Sequence, residues 1–210
     1  MPRHDIPNET EARIITAAKA LFIEKGYTDT SICEIAAAAG INRPALHYYF
    51  RTKERLFRAV FGPIVQKLVP QVLTIMLDRD KPIGRRMENV VDAYYELFRQ
   101  QPDLPLFVVR EINRDPDFLL LTLHSLHAEA GFSRIARSLQ QEMQEGRLRQ
   151  VPVRTVFMTF YGLLTFPFLT RQLSSRVLRQ PDEAFDDVLA EWKPNITRQM
   201  QQLLSPEPQA

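Results

Sequence analysis

Apolar residues recur along this chain at helical spacing, and the interruptions of that recurrence divide it into segments. Ile14, Ala18, Leu21 and Phe22 share one helix face, with Asn8 and Glu11 forming a candidate capping box before them and Gly26 a stop after them. A second box, Ser31 with Glu34, opens a short alanine-rich helix through Ala39 that Gly40 ends. Asn42 or Arg43 then caps a third helix, and Pro44 fits its first turn, where a missing N–H costs nothing. Thr52 caps a fourth. The spacing beyond it predicts helices over 53–78, 82–100, 105–114, 116–146, 152–172 and 182–204, with breaks at Asp80/Pro82, Pro102/Pro105, Pro116, Gly146/Pro152 and Pro181. Pro63, Pro70, Pro167 and Pro194 fall inside these segments and should kink or split them. No stretch alternates with period two for long enough to argue a sheet. The pattern predicts an all-α fold: a three-helix N-terminal domain over 1–52, a larger helical domain over 53–204, and a disordered tail over 205–210.

Composition adds a boundary and a charge. The chain of 210 residues can bury a sizeable core. Its net charge of +2 arises entirely within residues 1–58, which carry nine Lys/Arg against seven Asp/Glu; the rest carries eighteen of each. From Arg43 to Arg58 there are five basic residues (Arg43, Arg51, Lys53, Arg55, Arg58) against Glu54 alone, a balance that suits a phosphate backbone. The apolar stretch Thr155–Thr170 falls short of the ~20 residues a membrane span needs and reads as a buried helix, so no membrane partner is expected. Met1–Asn8 is polar, without an apolar signal core, and the single cysteine, Cys33, cannot form an intrachain disulfide; both favour the cytoplasm. A glycine-rich phosphate loop, a G-x-S-x-G elbow, an H-E-x-x-H pair and a Cys/His pair at catalytic spacing are all missing, which argues against an enzyme, and no cofactor is expected.

Three short helices with a tight turn between the second and third are the geometry of a helix-turn-helix, whose later helix enters the major groove. Leu46, Tyr49 and Phe50 fall at i, i+3, i+4 and should face the core, leaving Arg43, Pro44, Ala45, His47 and Tyr48 outward. Arg43 suits the O6 and N7 of a guanine, Pro44 and Ala45 a thymine methyl, and His47 and Tyr48 phosphates. Lys53 is a cation in the first turn of a helix, a disfavoured place unless an anion is shared there; a phosphate would be that anion, and Thr30 with Ser31 offers a second such site. The run Thr30-Ser31-x-x-Glu-Ile-Ala-x-x-Ala-Gly-Ile-Asn-Arg-Pro-Ala-Leu-His-Tyr-Tyr-Phe-Arg-Thr-Lys-Glu-Arg-Leu-Phe57 resembles the TetR/AcrR family signature, and with the first helix the resemblance covers about residues 9–60. It implies a DNA-binding transcriptional regulator, with Thr30, Arg43, Ala45, His47, Tyr48 and Lys53 at positions that touch DNA and Leu46 and Phe50 at core positions. His47 departs from the pattern, which more often has tyrosine there.

The resemblance also implies that residues 53–204 form a regulatory and dimerisation domain, that the partners are double-stranded operator DNA, a second copy of the chain and a small-molecule inducer, and that the regulator is a repressor. For the dimer, Phe157, Tyr161, Leu164 and Phe168 recur at spacings of four, three and four, as do Phe185, Leu189, Trp192 and Ile196 on the following helix. Such stripes are more often intramolecular core than interface, and it is the resemblance that shifts the reading toward a dimer. For a ligand, the middle helices offer Tyr94, Tyr95, Phe98, Phe107, Phe118, His124 and His127, with Arg110 and Glu111 as polar anchors. His124 and His127 stand at i, i+3, but no cysteine or third histidine lies near them and no metal is expected. Two readings stay open: an inducer-responsive regulator, and a DNA-bound adaptor of the same fold that acts through a protein partner.

Overall fold

The computed structural model describes residues 9–177 and 183–206. The described residues form eleven helices and no strand: α1 Glu9–Lys25, α2 Ile32–Ala38, α3 Arg43–Tyr49, α4 Lys53–Leu77, α5 Ile83–Gln100, α6 Leu104–Arg114, α7 Pro116–Ser125, α8 Ala128–Gln144, α9 Val153–Leu169, α10 Arg171–Val177 and α11 Phe185–Leu204. The expected Asn8/Glu11 box, the break at Pro181 and residues 207–210 of the tail lie outside the described residues.

Local signals set most boundaries. The Ser31 side chain accepts from the Glu34 N–H while Glu34 reaches back to the Ser31 N–H, the reciprocal box that starts α2. Asn42, rather than Arg43, caps α3, accepting from the Ala45 N–H at 2.8 Å. Thr52 accepts from the Arg55 N–H at 3.2 Å at the start of α4. Two expected helices divide. The segment 116–146 breaks into α7 and α8 because His127 adopts a left-handed conformation, φ 57°, which no α-helix can carry through. The segment 152–172 continues past its expected end after a break at Thr170 and becomes α9 and α10. Pro63 and Pro70 do not split α4, and Pro167 and Pro194 lie inside α9 and α11.

The chain forms two compact units, and they are drawn differently from a division at residue 52. One takes the residues up to Lys67 together with Phe107–Leu126; the other takes Leu68–Leu106 and the residues from His127 onward. In the first, Ile14, Ala18 and Phe22 of α1 are fully buried with Ile35 and Leu46. Aromatic rings finish that core: Phe57 packs on Phe22 and Phe61, and Phe61 stacks on Phe107 with centroids 4.6 Å apart. In the second, α11 packs on α5 and α9 around a core that includes Val91, Leu139, Leu164 and Ile196. Helix α4 contributes residues to both units. It is long and apolar enough to cross a membrane, and Leu56, Phe57 and Val60 of its first half are core residues of the first unit.

The second unit also buries a charge pair. The Arg86 guanidinium meets Glu142 through two parallel bonds of 2.8 and 2.6 Å and donates to the Met76 carbonyl, one of the last of α4, at 2.9 Å. Both side chains are almost wholly covered. Breaking such a pair strands a buried charge, whereas replacing both partners by apolar groups does not. Arg86→Met should therefore destabilise the second unit by about 3–5 kcal/mol in urea denaturation, and the double variant Arg86→Met/Glu142→Leu should recover most of that loss. Equal losses for the single and double variants would contradict this account.

Candidate nucleic-acid interface

Helix α3 projects the side chains that the sequence places outward. With Leu46 and Phe50 buried, Arg43, Pro44, His47 and Tyr48 are exposed and Ala45 is half-buried. Tyr48 is 84% exposed, and its ring touches only that of Tyr49 edge-on, so a large amphipathic side chain stands in solvent. Arg51, Thr52, Arg55 and Arg58 are exposed close by in sequence, and Glu54 is the one acidic residue from Arg43 to Arg58.

Thr30, Ser31 and Lys53 have other occupations. Thr30 is buried, and its hydroxyl donates to the carbonyls of Gly26 at 2.7 Å and Leu21 at 3.2 Å. Ser31 is exposed but spends its oxygen on the α2 cap. The Lys53 ammonium donates to three carbonyls of the preceding turn, those of Tyr27 at 2.9 Å, Thr30 at 3.0 Å and Thr28 at 3.3 Å, and sits 4.3 Å above the Tyr27 ring. The Lys53 ammonium thus has partners within the chain, so its place in the first turn of α4 does not by itself call for an external anion. A cation in the first turn of a helix costs about 0.3–1 kcal/mol against the macrodipole, and hydrogen bonds from a charged donor contribute about 1.5–3 kcal/mol each. The turn carbonyls therefore outweigh the dipole without a phosphate.

Two residues of α6 also hold this turn: Glu111, which the sequence offered as a ligand anchor, and Arg114, which it did not single out. Glu111 of α6 is buried and accepts from the Tyr27 N–H at 3.2 Å, while Arg114 donates to the Lys25 carbonyl at 2.7 Å and pairs with Asp29. Gly26, at φ +84°, makes room for them, since a Cβ there would meet Arg114 at 2.5 Å and Glu111 at 2.7 Å. Burial pushes the Glu111 carboxyl above its ordinary pKa. Tyr27 donates its hydroxyl to Glu54 at 2.8 Å, and burial, followed by that carboxylate, holds the phenol well above its usual value. At the exposed start of α2, Lys25 and then the Ser31 cap lower Glu34 to about 2.

The ligand candidates fall in both units. Phe107 and Phe118 belong to the first unit, the former stacked on Phe61 and the latter on Tyr27 with centroids 3.8 Å apart. Arg110 and His124 are exposed on that unit, and His127 is exposed at the start of α8. Among the described residues no group of three His, Cys, Asp or Glu side chains is placed to hold a metal. In the second unit Phe98 packs edge-on against Phe168, and Tyr94 alone of the candidates lines a cavity of about 40 Å³. Phe157 and Tyr161, expected to face a second chain, line that cavity too, and the Tyr161 hydroxyl lies 2.8 Å from that of Tyr94. The rest of that stripe turns into its own chain: Leu164 and Ile196 are 0% exposed, Phe168 is buried, Phe185 and Leu189 are partly buried against the core, and Trp192 donates to the Leu163 carbonyl at 2.9 Å. Leu164, Phe168 and Ile196 therefore have no surface to offer a partner, whereas Phe157, Tyr161, Phe185, Leu189 and Trp192 keep part of theirs. The exposed apolar positions of α9 and α10 are instead Met158, Phe166, Leu169, Leu173 and Val177.

Comparison with known proteins bears on the first unit above all. A sequence model described as bacterial regulatory proteins, tetR family, matches residues 14–60. The HTH-type transcriptional repressor BdcR of Escherichia coli K12 is 33% identical over 43% of this chain and 43% of its own length. YerO of Bacillus subtilis 168, an uncharacterised HTH-type transcriptional regulator, is 30% identical over 50% of this chain and 36% of its own length. The alignments thus span less than half of either relative. The fold extends further: the transcriptional regulator FadR of Bacillus subtilis, solved in complex with stearoyl-CoA, superposes over 90% of this chain and 96% of its own with a TM-score of 0.64, at 17% identity.

Two outcomes follow from the turn and its neighbour. Thr30→Val leaves the Gly26 and Leu21 carbonyls without their donor and should cost about 1–3 kcal/mol in urea denaturation; unchanged stability would return Thr30 to a contact-only role. The Glu34 value of about 2 lies below its ordinary 4.5, so this carboxylate adds stability that is complete above about pH 4.5 and is lost as pH falls toward 2. A carboxyl NMR titration should show that low midpoint, and Lys25→Met should move it back toward 4.5.

Proposed function

We propose that this chain, whose residues 14–60 match the tetR family of bacterial regulatory proteins, is a cytoplasmic, dimeric transcriptional repressor that grips a palindromic operator with α3 and leaves it when a small, largely apolar ligand enters the second unit. The observation that carries the DNA half is the outward face of α3, where Arg43, Pro44, His47 and Tyr48 stand exposed on a helix seated by Leu46 and Phe50. Arg43 reads a guanine, Pro44 and Ala45 lie against a thymine methyl, and His47, Tyr48 and Ser31 take phosphates. Lys53 and Thr30 act through the turn they hold and so set where α2 and α3 begin. The repressor of Escherichia coli among the relatives supports the direction of regulation. The regulator FadR of Bacillus subtilis, solved with stearoyl-CoA, supports a ligand-responsive protein over an adaptor without a ligand; the cavity lined by Tyr94 and Tyr161, at about 40 Å³, reaches ligand size only when its walls repack.

For the dimer, the exposed residues Met158, Phe166, Leu169, Leu173 and Val177 are the larger part of the apolar surface offered to a second copy, beside the half-buried Phe157, Tyr161, Phe185, Leu189 and Trp192. Gly162 lies among these residues with open space where a Cβ would be, so two such faces can approach closely. In a dimer that spans successive major grooves, the two α3 helices stand about 34–36 Å apart or at a multiple of that distance.

Arg43→Ala should weaken binding to a DNA fragment selected from a random pool by about 1–3 kcal/mol and relax the preference at one base pair, read by mobility shift against a scrambled duplex across salt. Wild-type affinity and preference in that variant would remove α3 as the reading helix. Phe166→Glu and Leu173→Glu should each give folded monomers by light scattering, whereas Leu164→Glu should unfold the second unit. A wild-type monomer at micromolar concentration would refute the dimer.

A further inference from the structure

A cavity among α4, α5, α8, α9 and α11 of the second unit has no Asp, Glu, Lys, Arg or His in its lining. An ionised group entering it would lose its hydration with no counter-ion to replace it, at a cost of several kcal/mol. Its one polar feature is the pair of hydroxyls of Tyr94 and Tyr161. Two hydroxyls carry two protons, and the bond between them uses one. Among the described residues neither oxygen has another hydrogen-bond partner, so one donor and the remaining lone pairs are available. Burial raises the pKa of both phenols, so both stay protonated at neutral pH.

The volume limits size as the lining limits charge. About 40 Å³ has room for a water, whereas a cavity that admits benzene measures about 150 Å³. The difference can come from the walls, because Met76, Met87 and Met200 line the cavity and an unbranched thioether side chain repacks at little cost. On another side stand Phe132 and Phe157, both only partly buried, with ring centroids 6.4 Å apart. Methionine walls and one aromatic edge can yield space for one ring with a short tail, and not for a long acyl chain with a charged head.

We infer that this site takes a small uncharged molecule, a single aromatic or alicyclic ring bearing one hydroxyl or carbonyl oxygen, which docks that oxygen on the Tyr94–Tyr161 pair while the methionines make way for the ring. The inference names the ligand class for the regulator proposed above and rests on that reading only for its consequence at DNA.

Three probes of nearly equal size test it on the full chain: 4-propylphenol, propylbenzene and 4-propylbenzoate, with binding followed by calorimetry and melting temperature at neutral pH. The phenol should bind and raise the melting temperature, propylbenzene should bind about tenfold more weakly, and the ionised benzoate about a hundredfold more weakly or not at all. In Tyr94→Phe/Tyr161→Phe, where both members of the pair become apolar and the fold is retained, the phenol's hydroxyl loses its partners and the phenol should bind no better than propylbenzene. Benzoate binding as tight as the phenol's, a phenol advantage that survives the double substitution, or no binding by any probe overturns the inference. Release of the selected DNA fragment is measured separately. Tyrosine-dependent binding without release leaves the ligand class standing and removes induction; release by the benzoate alone leaves induction standing and removes the ligand class.

Discussion

The turn from Tyr27 to Thr30 joins α1 to α2 without belonging to either, and its carbonyls have no helix to receive them. One ammonium collects three of them. Lys53 begins α4, so the start of that long helix is fixed to the backbone that launches α2, and Glu111 and Arg114 close on the same turn from α6. Thr30 satisfies the end of α1 from within. Position along the chain misleads here, since residues 107–126 follow α5 in sequence yet share a core with residues before 68. The helix-turn-helix is a segment of about forty residues, but the unit that holds it is assembled from two stretches.

The second unit solves a different problem, that of organising a large apolar core with few polar fixtures. Arg86 and Glu142 supply one, spanning α5 and α8 and receiving the end of α4 through the Met76 carbonyl. The two tyrosine hydroxyls supply another between α5 and α9. Trp192 adds a third through the Leu163 carbonyl, and the three methionines beside the small void are free to repack.

The helix-turn-helix was legible in the sequence because its determinants are local. Ser31 with Glu34, Asn42 before Pro44, and glycines at 26 and 40 each fix a boundary from within a few residues, and Leu46 and Phe50 choose the inward face. Where the outcome depended on tertiary partners, the sequence was silent or ambiguous. His127 carries no signal that distinguishes a left-handed residue from a helical one. Helix α9 is apolar on nearly every face, so periodicity marks the stripe of Phe157, Leu164 and Phe168 without saying that its own chain covers it, and Met158 and Phe166 remain outside. Phe107 and Phe118 looked like pocket walls because they are aromatic and central in the chain, but rings at Phe61 and Tyr27 already engage them. For Lys53 the sequence showed an electrostatic misfit without revealing that backbone atoms resolve it.

Backbone partners give Lys53 an unusual evolutionary position. Its hydrogen bonds end on the carbonyl oxygens of residues 27, 28 and 30, which every amino acid possesses. Thr28 can therefore drift freely as far as this latch is concerned, and no compensating change at residue 53 is called for. A statistical search for co-varying pairs, which detects contacts by the reciprocal changes of side chains, would pass over the fastening at the root of α4.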